Sequence, residues 1–385
     1  MPRRINVDSG RPLEAKAQYS RALRVDDLVV QSGTTAIDLA GEILGETVVE
    51  QIEAILEIAG ASMAVAEGRF EDVIRVRAFV VGRQNLMPAA ETIASKFDQQ
   101  KIVCTLIPTS RLARPTQLVE LEFEAIDDSQ ANLVSLTEHE LPCVALNAIR
   151  LGKRIFFSGG STGTGDGQLQ TQKIIRAILS LLNSAGAARH DLTALRIFVR
   201  DRREVKSRLE DIASILDGVK PVISVVEVSA FAEQSTQVMI EAEAFVGARS
   251  ADHLIPHPCF ADYAMLIAVE DQLFLSNIEP LGLDQKVLSK GDWGAQRDQC
   301  LTQLESLLGQ ANASLKDVIN RRYFTQEQAE QNRAYGDGPA WFKETRPAAL
   351  GCRIANHLDD GVLLTVEAHA IRGAGDNIIW RTAKS

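Results

Sequence analysis

A chain of 385 residues exceeds what one hydrophobic core usually serves, so two or three domains are expected. Its 45% hydrophobic and 24% charged residues are ordinary for a globular protein, and a net charge of −10 argues against a nucleic-acid partner, which needs clustered Lys and Arg. No apolar run reaches the roughly 18 residues of a membrane span, no apolar stretch follows the arginines of MPRRINVDSGRP, and the five scattered cysteines (Cys104, Cys143, Cys259, Cys300, Cys352) predict free thiols in a cytoplasmic protein.

Residues 20–35, SRALRVDDLVVQSGTT, read as two apolar strands about a turn, ending in Ser32-Gly33. A helix follows, stopped by the small residues GAS at 60–62. Asp72 then opens a middle strand, EDVIRVRAFV. A second helix is predicted over 86–99, and two closing strands, the last being LVELEFEAI (118–126), are predicted to form a hairpin. After a polar stretch the order recurs. LNAIRLGKRIFFSGGS (146–161) holds Ser158, and Ile174, Ile175, Ile178, Leu179 and Leu182 make a helical stripe. Gly186 suits that helix's C-cap. HDLTALRIFV holds Asp191, a helix is predicted over 203–217, and VMIEAEAFV (238–246) closes the set. It recurs once more. AMLIAVEDQLFLSNIE (264–279) holds Ser276, Leu301, Leu304, Leu307 and Leu308 form the stripe, and Asn312 is the C-cap. KDVINRRYFT holds Asp317, and LLTVEAHAI (363–371) is the last strand.

Three markers therefore recur in order. Ser32, Ser158 and Ser276 are shifted by 126 and 244; Asp72, Asp191 and Asp317 by 119 and 245; Ala125, Ala244 and Ala368 by 119 and 243. This reads as a tandem triplication: units at 1–128, 141–248 and 260–374, with linkers at 129–140 and 249–259. Each unit is an α+β sheet of order β-β-α-β-α-β-β with helices on one face. In the third, Gly336, Gly338 and Pro339 break the second helix, and Trp341 and Phe342 are expected to refill the core.

QYSRALRVDDLVVQSGTTA, EDVIRVRAFV and PTQLVELEFEA are similar to the first two strands, middle strand and closing strand of the Rid (YjgF) family of reactive-intermediate deaminases. The resemblance covers about residues 13–373. It implies a chorismate-mutase-like fold, and since family members are homotrimers with clefts between subunits, it implies here an intrachain pseudo-trimer. The family's tyrosine falls on Tyr19, Ala145 and Tyr263; its serine on Ser32, Ser158 and Ser276; its water-positioning glutamate on Glu122, Glu241 and Thr365. The carboxylate-binding arginine falls on Cys104, Ile223 and Ala349 or Leu350, so no unit keeps it, and standard 2-imino-acid deamination is not expected. Arg346 and Arg353 flank that position in the third unit, either as substitutes or, more commonly for arginine, as solvated surface groups. The resemblance thus gives catalytic candidates Glu122, Glu241, Tyr19 and Tyr263, and substrate-binding candidates Ser32, Ser158, Ser276, Cys104 and Arg346.

Pairing of these groups depends on which units face each other. Tyrosine and glutamate from adjacent units leave two clefts complete or one, according to direction; both from one unit leave only Tyr19 with Glu122. Every arrangement predicts a degenerate cleft. Glu120, Glu122 and Glu124 share one strand face, opposite Leu121 and Phe123, and equally suit a wet surface. Arg77, Arg196 and Arg322 are equivalent and expected to pair with closing-strand carboxylates.

SGGSTGTGDG (158–167) lacks GK[ST] and reads as a hairpin loop, not a phosphate cradle. His253, His257 and Cys259 lack the scaffold of a zinc site. No metal or cofactor is implied, and the expected partner is a small-molecule ligand, not nucleic acid or membrane. Three functions remain: a Rid-like hydrolase or deaminase of a small imine or enamine, a non-catalytic ligand-binding scaffold, or a chorismatase-like enzyme.

Overall fold

Alternation in period two splits each central strand into a helix-facing side and an inward side, and here both are buried. The computed structural model describes residues 2–137, 145–160, 165–248, 253–326 and 340–383. The first segment runs β1 (Arg4–Asp8), α1 (Pro12–Lys16), β2 (Ala22–Val25), β3 (Leu28–Thr35), α2 (Val48–Val65), β4 (Val73–Val81), α3 (Leu86–Lys96), β5 (Val103–Thr109) and β6 (Val119–Ile126). After a short α4 (Ser129–Asn132) the second runs β7 (Val134–Ser135), β8 (Ala148–Leu151), β9 (Arg154–Gly160), α5 (Gly167–Ser184), β10 (Leu192–Val199), α6 (Val205–Leu216), β11 (Val222–Glu227) and β12 (Val238–Phe245). The third runs β13 (His253–Pro256), β14 (Ala264–Val269), β15 (Gln272–Leu275), α7 (Trp293–Gln310), β16 (Val318–Gln326), β17 (Ala348–Ile354), β18 (Leu364–Ile371) and β19 (Ile378–Thr382).

The strand order is the same each time: β5-β4-β6-β3-β2-β1, then β11-β10-β12-β9-β8-β7, then β17-β16-β18-β15-β14-β13. Each segment opens with a strand that the sequence reading left in a terminus or linker. The two closing strands do not form the expected hairpin. The middle strand separates them, parallel to one and antiparallel to the other. A crossover helix sits between β4 and β5, and between β10 and β11, which is what parallel neighbours require.

Local chemistry sets the helices. Thr47 and Glu50 form a capping box that opens α2, and Val48, Ile52, Ile55, Ala59 and Met63 make its buried stripe. Gly186 and Asn312 follow α5 and α7 at φ 71° and 55°, the left-handed conformation expected of helix C-caps. Phe342 is buried in the third core beside the partly buried Trp341. Gly336, Gly338 and Pro339 lie outside the described residues.

Contacts join each segment to the other two. β11 pairs β14 at Val222 and Ala264. The Gly159 N–H donates to Thr105 Oγ1 at 2.9 Å, joining β9 to β5, and the Ala349 N–H donates to Ser32 Oγ at 2.9 Å, joining β17 to β3. Phe79, Phe198 and Phe324, one from each middle strand, share an inner apolar cluster. β19 runs back parallel to β1, adding the C-terminal strand to the first sheet.

Pairing also resets one alignment. Val73 faces Ala125, Leu192 faces Ala244, and Val318 faces Ala370. The third marker is therefore Ala370, not Ala368. Arg77, Arg196 and Arg322 face Glu122, Glu241 and Glu367 in turn, so Glu367, not Thr365, is the third glutamate. A slip of two residues preserves the strand's inside-outside alternation, which is why the pattern alone concealed it.

Candidate functional site

The inward faces of β4, β10 and β16 carry Arg75, Arg77, Arg196 and Arg322, all buried or nearly so. Their charges are met across the segments. Arg77 donates to Glu241 (Nε to Oε2, 3.0 Å) and to Glu124 (2.9 Å); Arg75 to Glu243 (2.6 Å); Arg196 to Glu367 (2.6 Å) and Glu243 (2.7 Å); Arg322 to Glu122 (2.8 Å) and Glu367 (2.9 Å). Burial alone would raise the Glu241 carboxyl, but Arg77 and Arg196 hold it well below the usual range. Glu122 and Glu241 thus sit in a buried ion cluster shared by the three segments, each paired with more than one guanidinium group.

Two of the three repeated serines, Ser32 and Ser276, fasten seams, whereas Ser158 bonds within its own segment. Ser32 Oγ donates to the Ser20 carbonyl (2.5 Å) while accepting from Ala349 N–H. Ser276 Oγ donates to Ala264 and accepts from Ile223 N–H (2.8 Å). Ser158 donates to Ala145 and accepts from Asn147 N–H. All three are fully buried. Tyr263 is also buried, its hydroxyl donating 2.7 Å to the Leu209 carbonyl of α6. Cys104 is disulfide-bonded and buried on the helix side of β5, in contrast to the free thiol expected there; Cys259, Cys300 and Cys352 are free. Arg346 donates to Asp8 (2.8 Å) and stacks on Trp380, away from any cleft described here.

One seam opens. Between the first and third segments lies a cavity of about 290 Å³, lined by Tyr19, Arg21, Gly33 and Glu120 on one side and Arg321, Leu350 and Arg353 on the other. Glu120 occupies the β6 position whose counterparts are Met239 and Thr365. Burial raises its carboxyl to about 7, opposed by Arg21 and reinforced by Glu122. Gly33 makes room for that group: a Cβ there would overlap Glu120 Oε1. Arg21 is held by Glu14 (Nε to Oε1, 2.9 Å) and donates from Nη2 to the Tyr19 hydroxyl (3.1 Å). The tyrosine's own proton is thereby left to point elsewhere. Burial raises the Tyr19 phenol, so it stays protonated at neutral pH. Arg11 and Arg111 complete a lining with five arginines and one glutamate.

Of the sequence-derived candidates, the cavity therefore gathers Tyr19, and Arg353 of the flanking arginines. Ser32 braces its seam, and Glu122 stands behind Glu120. Sequence reasoning missed Glu120, Arg11, Arg21 and Arg321. The available signal was divergence: Glu120 is the member of its strand's acidic row that the other two segments replace with uncharged residues. Among the described residues no group of three or more His, Cys, Asp or Glu side chains converges on a metal position, and no helix is long and apolar enough to cross a membrane. The His253 side chain, His139, Cys143 and residues 161–164 of the glycine-rich loop lie outside the described parts.

The model of the Endoribonuclease L-PSP family matches residues 10–127. Among solved structures, Rv2704 from Mycobacterium tuberculosis, of the YjgF/YER057c/UK114 family, is 29% identical over 32% of this chain and 98% of its own, with a TM-score of 0.29. A putative endoribonuclease from Thermotoga maritima is 22% identical over 32% of this chain and 92% of its own, TM-score 0.28. A chorismatase covers 78% of this chain and 93% of its own at 13% identity and a TM-score of 0.50, a likeness of fold. No curated protein matches the sequence. Residues 10–127, the first segment, are thus similar to the Endoribonuclease L-PSP family.

Proposed function

We propose that this chain is a three-unit ring of the Rid fold, and that its cleft between the first and third units hydrolyses a small anionic imine or enamine. The ring reading is supported by the repeated strand order, the equivalent Arg–Glu registers and the three seams. The observation that carries the catalytic reading is Glu120: a carboxyl raised to about 7, beside Tyr19, in a cavity lined by arginines. A group poised near neutrality serves as both base and acid. In this scheme the ionised Glu120 takes a proton from water as its oxygen bonds to the imine carbon, and returns it to the nitrogen to give a carbinolamine. Glu120 then takes the carbinolamine hydroxyl proton and passes it to the same nitrogen, so that the C–N bond breaks, ammonia leaves and the carbonyl forms. Arg21 and Arg353 face the substrate's acid group, in place of the arginine missing from β5. Tyr19 orients the reacting end through its free hydroxyl proton.

Ammonia release from freshly generated 2-imino acids, compared between wild type and Glu120→Gln, tests this. Loss of release on substitution supports it; unchanged release sinks the assignment. A chorismatase-like hydrolysis is the second reading, favoured by the extent of that fold match over both chains. Chorismate consumption in the same assay separates the two. A protein that binds such acids and turns over neither is a scaffold.

A further inference from the structure

Behind Arg11 and Arg21 the cleft has a neighbour. A second cavity of about 430 Å³ shares Arg11, Arg21 and Ile37 with the first, so those three residues form the partition between them. Its character is different. Ile58 and Ala61 of α2 make one wall, and Leu39, Ala40 and Leu44 of the connection from β3 to α2 make the other. Leu39 and Leu44 are 58% and 38% exposed, an unusual placement for two large apolar side chains that face each other's cavity. The two partition arginines are held differently: Arg11 donates to the Ile37 carbonyl at 2.6 Å, whereas Arg21 is paired with Glu14.

We propose that this chamber is an accessory subsite that takes the aliphatic tail of a carboxylate whose head group lies on the partition arginines. The inference rests on the reading of the first cavity as an anion-binding cleft, and it adds the substrate class: an amphipathic acid with an unbranched apolar chain. Charge complementarity places the head, because both arginines line both cavities. Apolar area places the tail, because Leu39, Leu44, Ile58 and Ala61 remain in water until something covers them.

The test is an NMR titration of the full chain with acetate, butanoate, hexanoate, octanoate and decanoate. Wild type is expected to bind roughly fourfold more tightly per added methylene, from the transfer value of each CH₂. Leu44→Asn and Ala61→Trp, which make the chamber polar and fill it, are expected to flatten that series; the circular dichroism of each variant checks its fold. Arg11→Ala is expected to weaken all five acids about tenfold. A wild-type series that is flat while Arg11→Ala still weakens binding overturns the chamber and spares the cleft. A series that keeps its slope in both chamber variants also overturns it. No effect of Arg11→Ala on any acid overturns the head-group placement, and the cleft reading with it.

Discussion

The Glu122 carboxylate accepts from the Arg322 guanidinium at 2.8 Å across 200 positions of sequence, and both side chains are almost wholly buried. That bond joins the closing strand of the first segment to the middle strand of the third. Glu241 stands in the same relation to Arg77, and Glu367 to Arg196. Removing one partner leaves a charge buried without compensation. Glu122→Ala is therefore expected to destabilise by about 3–5 kcal/mol, and Lys96→Ala, at an exposed pair with Glu53, by less than about 1 kcal/mol. Urea denaturation measures both. Similar costs for the two would show that the central cluster contributes nothing beyond a surface pair.

The same cluster sets the acid limit. Burial acts to raise Glu124, Glu241, Glu243 and Glu367, yet the surrounding arginines hold all four below the ordinary carboxylate value of 4.5. A depressed carboxyl contributes stability that is full above its unfolded value and is lost as pH falls through the folded one. Thermal stability is expected to drop steeply below about pH 4. A melting temperature flat from pH 5 to pH 3 contradicts this.

Glu120 has the opposite sign. Its folded carboxyl is raised from 4.5 to about 7, chiefly by burial, so the folded chain holds a proton that the unfolded chain releases between those values. Stability from this group is present below pH 4.5 and is lost as pH rises through 7, by an amount on the order of 3 kcal/mol. Glu120→Gln is expected to stabilise the protein at pH 8 and to lower turnover by roughly 10²–10⁴-fold. A variant that is both less stable at pH 8 and fully active would remove Glu120 from the mechanism.

Gly33 offers a second route to the same group. A methyl there overlaps Glu120 Oε1 and comes within 2.9 Å of Leu350 Cδ1, so Gly33→Ala is expected to displace the carboxyl and abolish most activity. Gly309, inside α7 with no atom near its missing Cβ, is the contrast. Gly309→Ala is expected to stabilise by about 0.5–1 kcal/mol and leave activity unchanged. Equal activity in the two variants would show that Gly33 is not what places Glu120.

Much of the architecture was legible because it is written locally. The helical stripes at Ile174–Leu182 and Leu301–Leu308, the C-caps Gly186 and Asn312, and the equivalent arginines follow from periodicity and constant shifts. The short opening strands were not legible: β7 has two residues and β13 ends in Pro256, too little for a period-two signal. Nor was the register of β18, since a slip of two leaves its faces unchanged.

The site divides in the same way. Tyr19 and the loss of the β5 arginine are matters of sequence alone. Which glutamate lines a cavity is visible only in three dimensions, where Glu122 and Glu241 are paired with arginines from another segment and Glu120 borders the open space. The chain by itself determined which residues repeat, because repetition and periodicity are properties of neighbours along it. Folding alone decided which carboxyl is buried beside a counter-charge and which beside a cavity, because that depends on atoms that are hundreds of residues apart until the segments close on one another.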